Sequence, residues 1–251
     1  MSESLLKIED LHAWYGESHV LHGVDMHIDE GETVTLLGRN GAGKSSILRA
    51  VLGIIRKRRG NVCFRGIDLM KTPIHQIAYL GIGYVPEERG IFASLDVSEN
   101  LTLPPQVKAG GYTLDQIYEL FPNLYERRHS QGTKLSGGEQ QMLAIARVLR
   151  TGASFLILDE PTEGLAPVIV QRIGEVIREL KARGMTILLV EQNFRFARRV
   201  ADRYYVLEDG KLAATFSSAE LPERMEFLQR TLGLAGRGDR RSVPLPTPAG
   251  N

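Results

Sequence analysis

Thr33-Val-Thr-Leu-Leu-Gly38-Arg-Asn-Gly-Ala-Gly-Lys44-Ser45-Ser-Ile-Leu-Arg-Ala-Val-Leu-Gly53 is the stretch on which the fold turns. Its first part, Thr33–Leu37, is a continuous apolar run bounded by Gly31 and Gly38. Such a run suits a parallel strand buried on both faces. Its last part places Ile47, Leu48, Val51 and Leu52 at helical spacing, and Gly53 closes it. Between strand and helix, Gly38 to Ser45 fits G-x-x-x-x-G-K-[ST]. Glycines there let backbone N–H groups wrap an anion without Cβ clashes, and the helix N-terminus adds positive potential. The candidate phosphate cradle is Gly38, Arg39, Asn40, Gly41, Ala42, Gly43, Lys44, Ser45 and Ser46. Lys44 is placed to reach the β- and γ-phosphates of a nucleotide, and Ser45 to ligate Mg²⁺.

Working outward, the same alternation recurs. Ser136–Arg150 reads as a helix with Met142, Leu143, Ile145, Ala146 and Leu149 apolar. Ser154–Leu158 is a second buried strand, ending in Asp159-Glu160-Pro161. Val168–Arg183 is helical, with Ile169, Ile173, Val176, Ile177 and Leu180 on one face, and Met185–Val190 is a third buried strand. Strands alternating with helices predict an α/β fold with a largely parallel sheet. Asp159, at the end of an apolar strand, is placed to hold Mg²⁺. Glu160 is placed to take a proton from attacking water. Tyr204–Leu207 and Leu212–Thr215 read as a hairpin around Asp209-Gly210. Residues 5–32 read as short strands and turns. Residues 88–135, rich in Pro and Gly between amphipathic pieces such as LDQIYELF, read as a mainly helical insertion. From Gly236 the chain is rich in Gly, Pro and Arg, and disorder is expected there.

Composition narrows the class. The chain has 251 residues, 43% hydrophobic and 24% charged, enough for a large core. Lys plus Arg number 31 and Asp plus Glu 30, so no global field draws the protein onto nucleic acid or membrane. The longest run without Asp, Glu, Lys or Arg is Thr72–Pro86, too short to span a bilayer. The N-terminus shows no signal-peptide pattern. The lone Cys63 alternates with Val62 and Phe64 in a strand and is expected to be buried. His19, His22 and His27 share a region without metal-ligand spacing and are not expected to converge. Arg56-Lys-Arg-Arg59 reads as a solvated loop, with lipid-headgroup contact as the lesser reading.

Leu135-Ser-Gly-Gly-Glu-Gln140 decides between classes. Ser136 and Glu139 have capping-box spacing, which in isolation is a plain helix N-cap. Two glycines in a first turn cost roughly 1 kcal/mol each relative to Ala, and an ordinary cap has no need of them. This sequence, twenty residues ahead of Asp159-Glu160 and downstream of the phosphate loop, resembles the signature of ABC-type ATPases. The resemblance covers roughly Leu5 to Gly233. It implies a P-loop NTPase (RecA-like) core, an antiparallel β lobe and a helical subdomain. The single ATPase domain would span 1–235, with the core at about 1–87 and 150–235 and the helical part at about 88–149. It also implies a composite ATP site, in which Ser136, Gly137, Gly138 and Glu139 of a second subunit close over the γ-phosphate. Tyr15, in AWYGES, resembles the family's adenine-stacking aromatic.

Three departures narrow the family. Tyr84-Val-Pro86-Glu87 puts Glu87 where the family usually has Gln, leaving an oxygen that can still meet Mg²⁺. LLVEQNF puts Gln192 where the switch His is usual. Gln192 can donate a hydrogen bond to the γ-phosphate but cannot become cationic. The loop Glu163-Gly-Leu-Ala166 lacks its usual Asp. Together these resemble the second ATPase subunit of branched-chain amino-acid importers. That resemblance implies ATP and Mg²⁺ as cofactors and Glu160, Lys44 and Gln192 as the catalytic set. It implies Ser45, Glu87 and Asp159 around the metal. The implied partners are transmembrane permease subunits, a second ABC ATPase subunit (a homodimer being allowed in isolation), and indirectly a periplasmic or extracellular substrate-binding protein. No nucleic acid is implied. The implied location is the cytoplasmic face of the inner membrane, with Glu87 and Arg89–Phe92 coupling to the permease. Two alternatives stay open: a soluble single-cassette ATPase without a permease, and a nucleotide-gated subunit that hydrolyses little by itself.

Overall fold

The computed structural model describes residues 4–233. The expected disorder from Gly236 lies outside the described residues. Strands β1 (Leu6–Tyr15) and β2 (Ser18–Ile28) form an antiparallel hairpin, extended by β4 (Arg58–Phe64) and β5 (Ile67–Asp68) into a four-stranded sheet of order β2-β1-β4-β5. Residues 5–32 are thus two long strands, not the short pieces expected. The pairing of β1 with β2 shifts register between Ile8 and Leu11, and Asp10 there has a φ of 47°. That bulge breaks the apolar alternation without breaking the ladder.

The second sheet has the order β10-β9-β3-β8-β7-β6. Its strands are β3 (Thr33–Gly38), β6 (Ile82–Val85), β7 (Phe155–Asp159), β8 (Thr186–Glu191), β9 (Arg203–Glu208) and β10 (Lys211–Ser217). All neighbouring pairs are parallel except β9–β10, which turn back through Asp209-Gly210. Every residue of β3, β7 and β8 is buried. Their continuous apolar runs serve two different cores. Phe155, Ile157, Leu188 and Val190 face α1 (Lys44–Val51) and the antiparallel sheet. Leu156, Leu158, Ile187 and Leu189 face the opposite layer, built on α6 (Gly137–Arg150) and α7 (Pro167–Ala182).

The remaining helices are short: α2 (Ile74–Ile77), α3 (Val97–Thr102), α4 (Leu114–Leu120), α5 (Pro122–Glu126), α8 (Phe194–Ala197) and α9 (Leu221–Leu232). Between β6 and α6 the regular elements are the short helices α3, α4 and α5 joined by longer loops, and Val97, Leu101, Ile117, Leu120 and Phe121 join the core of α6 and α7. α8 and α9 cover β3 and β9 through Phe194, Ala197 and Leu228. No helix among the described residues is long and apolar enough to cross a membrane.

Two expectations are corrected. Cys63 is only half-buried, because strand alternation turns Val62 and Phe64 inward and Cys63 to the other face. Arg58 is no solvated loop residue. Its guanidinium donates to the carbonyls of Ala50, Val51 (3.3 Å) and Leu69 (2.8 Å), closing the C-terminus of α1. His19, His22 and His27 do not meet at one point, although the ring centroids of His19 and His22 are 4.1 Å apart and His12 Nδ1 lies 3.0 Å from His19 Nε2. The β1–β2 pairing brings His12, His19 and His22 onto one face, whereas His27 sits with Arg203 and Tyr205.

Candidate nucleotide site

The parallel sheet delivers its chemistry at the C-terminal ends of β3, β7 and β8, where ligands of such sheets bind. β3 runs into the loop Gly38–Gly43, and Gly43 enters α1 with a φ of 106°, a conformation that favours glycine. A cavity of about 290 Å³ lies there, lined by Asn40, Gly41, Gly43, Lys44, Ser45, Ser46, Glu87, Glu160 and Glu163. The loop and the Asp159-Glu160 pair, 114 residues apart at Ser45 and Asp159, are therefore one site.

Lys44 is held at the cavity wall by three oxygens. Its Nζ donates to the Gly38 carbonyl at 3.0 Å and the Arg39 carbonyl at 3.1 Å, and lies 3.0 Å from Glu160 Oε1. Glu160 has a φ of 47°, and its N–H donates to the Val190 carbonyl at 3.0 Å. This strained turn at the end of β7 aims the carboxylate across to β8. There Gln192 Nε2 donates to Glu160 Oε2 at 3.0 Å. One carboxylate thus meets the loop lysine on one oxygen and the Gln192 amide on the other.

Asp159 is buried beside them. Ser45 Oγ donates to its Oδ1 at 3.1 Å and Tyr84 OH to its Oδ2 at 3.2 Å. Burial pushes the Asp159 carboxyl up, the two hydroxyls pull it down, and the carboxylates of Glu160 and Glu87 add to the upward push. Burial and the Asp159 carboxylate push the Tyr84 phenol up. Among the described residues no three His, Cys, Asp or Glu side chains converge as a self-sufficient metal site. Ser45 and Asp159 fit Mg²⁺ as part of a shell: a hard cation takes oxygen donors and is commonly held by one or two carboxylates plus phosphate and water.

The other sequence-derived candidates lie apart from the cavity. Ala42 is buried in the loop, its carbonyl accepting from Gly210 N–H at 2.9 Å. Tyr15 ends β1, 45% exposed, and its phenol, beside Arg49 of α1, raises that guanidinium above its ordinary value. Ser136 caps α6: its Oγ accepts from Glu139 N–H at 3.3 Å, and Glu139 Oε2 accepts from Ser136 N–H at 2.7 Å. Burial works against the Glu139 charge, but the bonds from Ser136 and the Arg127 guanidinium keep its carboxyl below the usual range. None of Ser136–Glu139 lines the cavity of this same chain.

The signature glycines also have an intrachain reason that sequence reasoning did not weigh. A Cβ on Gly138 would stand 2.7 Å from Ile169 Cγ2 of α7, and one on Gly137 3.2 Å from the Arg89 guanidinium. Arg89 in turn donates to Gln140 Oε1 at 3.0 Å, tying the segment after Glu87 to the start of α6.

Four residues of the site were missed. Tyr84 lies three residues before Glu87 on a strand whose alternation turns it toward Asp159. Glu163 follows Glu160 by one turn, its N–H donating to the Glu160 carbonyl at 3.1 Å. A hydrogen bond with Glu160, and then burial, raises the Glu163 carboxyl above its ordinary value. Glu191 ends β8, 1% exposed, and accepts from Thr162 Oγ1 at 2.7 Å and Asn193 N–H at 3.1 Å. Burial pushes Glu191 up to about 7. A charge closing an apolar strand directly before Gln192 was the available signal for Glu191. Thr162 carried none.

Comparison with known proteins agrees with this geometry. The family model described as ABC transporter matches residues 21–163. The high-affinity branched-chain amino acid transport ATP-binding protein BraG of Pseudomonas aeruginosa is 40% identical over 86% of this chain and 94% of its own. The lipopolysaccharide export system ATP-binding protein LptB of Acidithiobacillus ferridurans is 34% identical over 93% of this chain and 98% of its own. Among solved structures, a nucleotide-free ATP-binding cassette from an ABC transporter superposes with a TM-score of 0.77 at 24% identity, covering 92% of this chain and 98% of that one, which speaks to the fold. A P-loop, a strand-end acid pair and a signature helix on one α/β scaffold, matched over most of their length by transporter ATP-binding proteins, place this chain in the ABC transporter family as an ATP-hydrolysing subunit.

Proposed function

We propose that this chain powers an importer for branched-chain amino acids or related small polar or aromatic acids, docking as a peripheral subunit on separate transmembrane permease subunits. The observation that carries the hydrolytic part is the shared Glu160 carboxylate, 3.0 Å from Lys44 on one oxygen and 3.0 Å from Gln192 on the other. In this reading the loop amides and Lys44 bind the phosphates, and Lys44 exchanges part of its contact with Glu160 for phosphate oxygen. Glu160, so released, accepts the proton of the attacking water. Gln192 orients Glu160 and donates toward the γ-phosphate. Ser45, Asp159 and Glu87 would hold Mg²⁺, which when bound neutralises charge developing on the phosphates. Tyr15 would stack on adenine. Ser136–Glu139 would serve the site of a second ATPase subunit, which fits their position outside this chain's own cavity.

The importer assignment is supported by the 40% identity to BraG and by Glu87, Gln192 and Ala166 at the three departures. The similarity to LptB favours a second reading, an export ATPase. ATP hydrolysis by the purified chain beside Glu160→Gln tests the hydrolytic part. Turnover in the wild type, with at least a hundredfold loss and an ATP-stabilised dimer in the variant, is expected. Turnover retained in Glu160→Gln overturns the assignment of the base. Tagged chain expressed in its native membrane tests the rest: co-purification of an amino-acid permease supports import, and of a lipid-export permease supports the second reading.

A further inference from the structure

The buried carboxylate of Glu191 has no part in the hydrolytic reading, yet it sits between the two loops that supply that reading's key residues. It ends β8, pairs in the sheet with Leu37 of β3, and is 1% exposed. One oxygen accepts from Thr162 Oγ1 at 2.7 Å. The other oxygen accepts from Asn193 N–H at 3.1 Å. Thr162 lies two residues after Glu160, and Asn193 one residue after Gln192. The same two loops meet again one step along, where Gln192 Nε2 donates to Glu160 Oε2 at 3.0 Å. The backbone adds a third tie, from Glu160 N–H to the Val190 carbonyl at 3.0 Å.

We propose that Glu191 is a positioning residue: its carboxylate clamps the loop after β7 to the loop after β8 and thereby sets the Gln192–Glu160 hydrogen bond. The inference rests on the hydrolytic reading of Glu160 and Gln192 given above. A carboxylate suits this task because all the groups aimed at it are donors, and it offers an acceptor on each oxygen. An amide of the same shape has one acceptor, so it leaves one N–H facing a donor. Gln192 itself stands on no regular element: it follows β8 and precedes α8, and Asn193 caps α8 by accepting from Phe196 N–H at 3.2 Å. Without the clamp, the Gln192 side chain loses its fixed origin relative to Glu160. An error of about 1 Å in such a contact is enough to cost up to a hundredfold in rate.

The test uses the full chain at pH 8, where Glu191 is ionised, with Glu191→Gln, Thr162→Val and Thr162→Ser. In nucleotide-free protein the side-chain ¹⁵N amide resonance of Gln192 reports the Glu160 contact directly. It is expected to move toward the free-amide position in Glu191→Gln and Thr162→Val, and to stay in place in Thr162→Ser, which keeps the hydroxyl. In ATPase assays kcat is expected to fall about tenfold in the first two variants, with KM and the equilibrium affinity for a fluorescent ATP analogue within twofold of wild type. In a Gln192→Ala background the same substitutions should change kcat less than twofold, because the contact they position is already gone. An unmoved Gln192 resonance, an unchanged kcat, or an undiminished loss in the Gln192→Ala background overturns the proposal. Glu160→Gln run alongside separates the two layers. If it retains turnover, the hydrolytic reading has failed. If it abolishes turnover while Glu191→Gln and Thr162→Val match wild type, only the clamp has failed.

Discussion

Lys44 Nζ stands 3.0 Å from Glu160 Oε1, and both side chains are more than nine-tenths buried. The site therefore carries a buried ion pair before any nucleotide arrives. Removing one partner of such a pair leaves an uncompensated charge and typically costs 3–5 kcal/mol, whereas removing both costs less. Lys44→Ala should therefore destabilise the nucleotide-free chain by about 3 kcal/mol, since Glu160 loses its cationic partner and keeps neutral donors such as the Gln192 amide. Glu160→Gln should cost less, because Lys44 retains the Gly38 and Arg39 carbonyls. The double variant should be more stable than the sum of the singles by more than 1 kcal/mol. Urea unfolding of the four proteins measures this. Additivity within about 0.5 kcal/mol would show that the two groups do not feel each other.

Glu191 supplies a pH signature separate from catalysis. Its ordinary carboxyl value is 4.5, and burial raises it to about 7 in the folded chain, the Glu160 carboxylate adding to the rise. A carboxyl raised on folding binds its proton more tightly in the native state, so it favours folding at low pH. That contribution is complete below about 4.5 and is lost as pH climbs through about 7. Within this window the slope is roughly −1.4 kcal/mol per pH unit. Glu191→Gln removes the titration. The stability difference between wild type and variant should therefore shift against the wild type as pH rises from 5 to 7.5, and level off above. Urea midpoints across that range decide it; a difference independent of pH contradicts the raised value.

How far the sequence reveals this molecule depends on the range of the interaction. The strands β3, β7 and β8 were legible because burial on both faces demands continuous apolar runs. The P-loop and Asp159-Glu160 were legible because phosphate and metal chemistry constrain residue type at short spacing. Ser136–Glu139 was legible as a cap because a capping box is local. Tyr84 on Asp159 and Thr162 on Glu191 were not. The first joins two strands and the second a loop to a strand end, 75 and 29 residues apart, and their meaning comes from sheet order, which no local pattern encodes. β1 and β2 were read as fragments because a bulge at Asp10 looks, in sequence, like a strand end.

Gly138 separates two explanations for the signature glycines. A Cβ there would stand 2.7 Å from Ile169 Cγ2 and 2.9 Å from its Cγ1, closer than packed atoms tolerate. Gly138→Ala should destabilise the chain by about 1–3 kcal/mol, the usual cost of overpacking, despite the better helix propensity of Ala. Adding Ile169→Ala should recover much of that loss by opening the space. ATPase activity then discriminates. If the glycine serves only α6–α7 packing, the double variant regains turnover with stability. If it also serves close approach to a second subunit's nucleotide, stability returns while turnover stays low.

Arg58 gives the last prediction, on the support beneath the phosphate loop. α1 begins at Lys44 and ends at Val51, and the N–H groups of Leu52, Gly53 and Ile54 serve its Leu48, Ala50 and Arg49 carbonyls at 2.9, 3.1 and 2.8 Å. The Arg58 guanidinium adds a charged donor at Ala50 and Val51 and reaches on to Leu69 at 2.8 Å, joining α1 to the segment after β5. Burial lowers the Arg58 guanidinium from its ordinary value, but it remains charged at neutral pH. Hydrogen bonds from a charged donor contribute about 1.5–3 kcal/mol each where no water replaces them. Since the group is half-buried, Arg58→Ala should cost about 2–3 kcal/mol in urea unfolding. Arg58→Lys should recover less than half of that, because a single ammonium cannot span acceptors that a planar fork meets together. The loss should fall on stability, with the KM for ATP within about threefold of wild type, since Lys44 and Ser45 are anchored at the other end of α1 by Gly38, Arg39 and Asp159. Full rescue by lysine would mean that charge near the helix end, and not the forked geometry, is what Arg58 contributes.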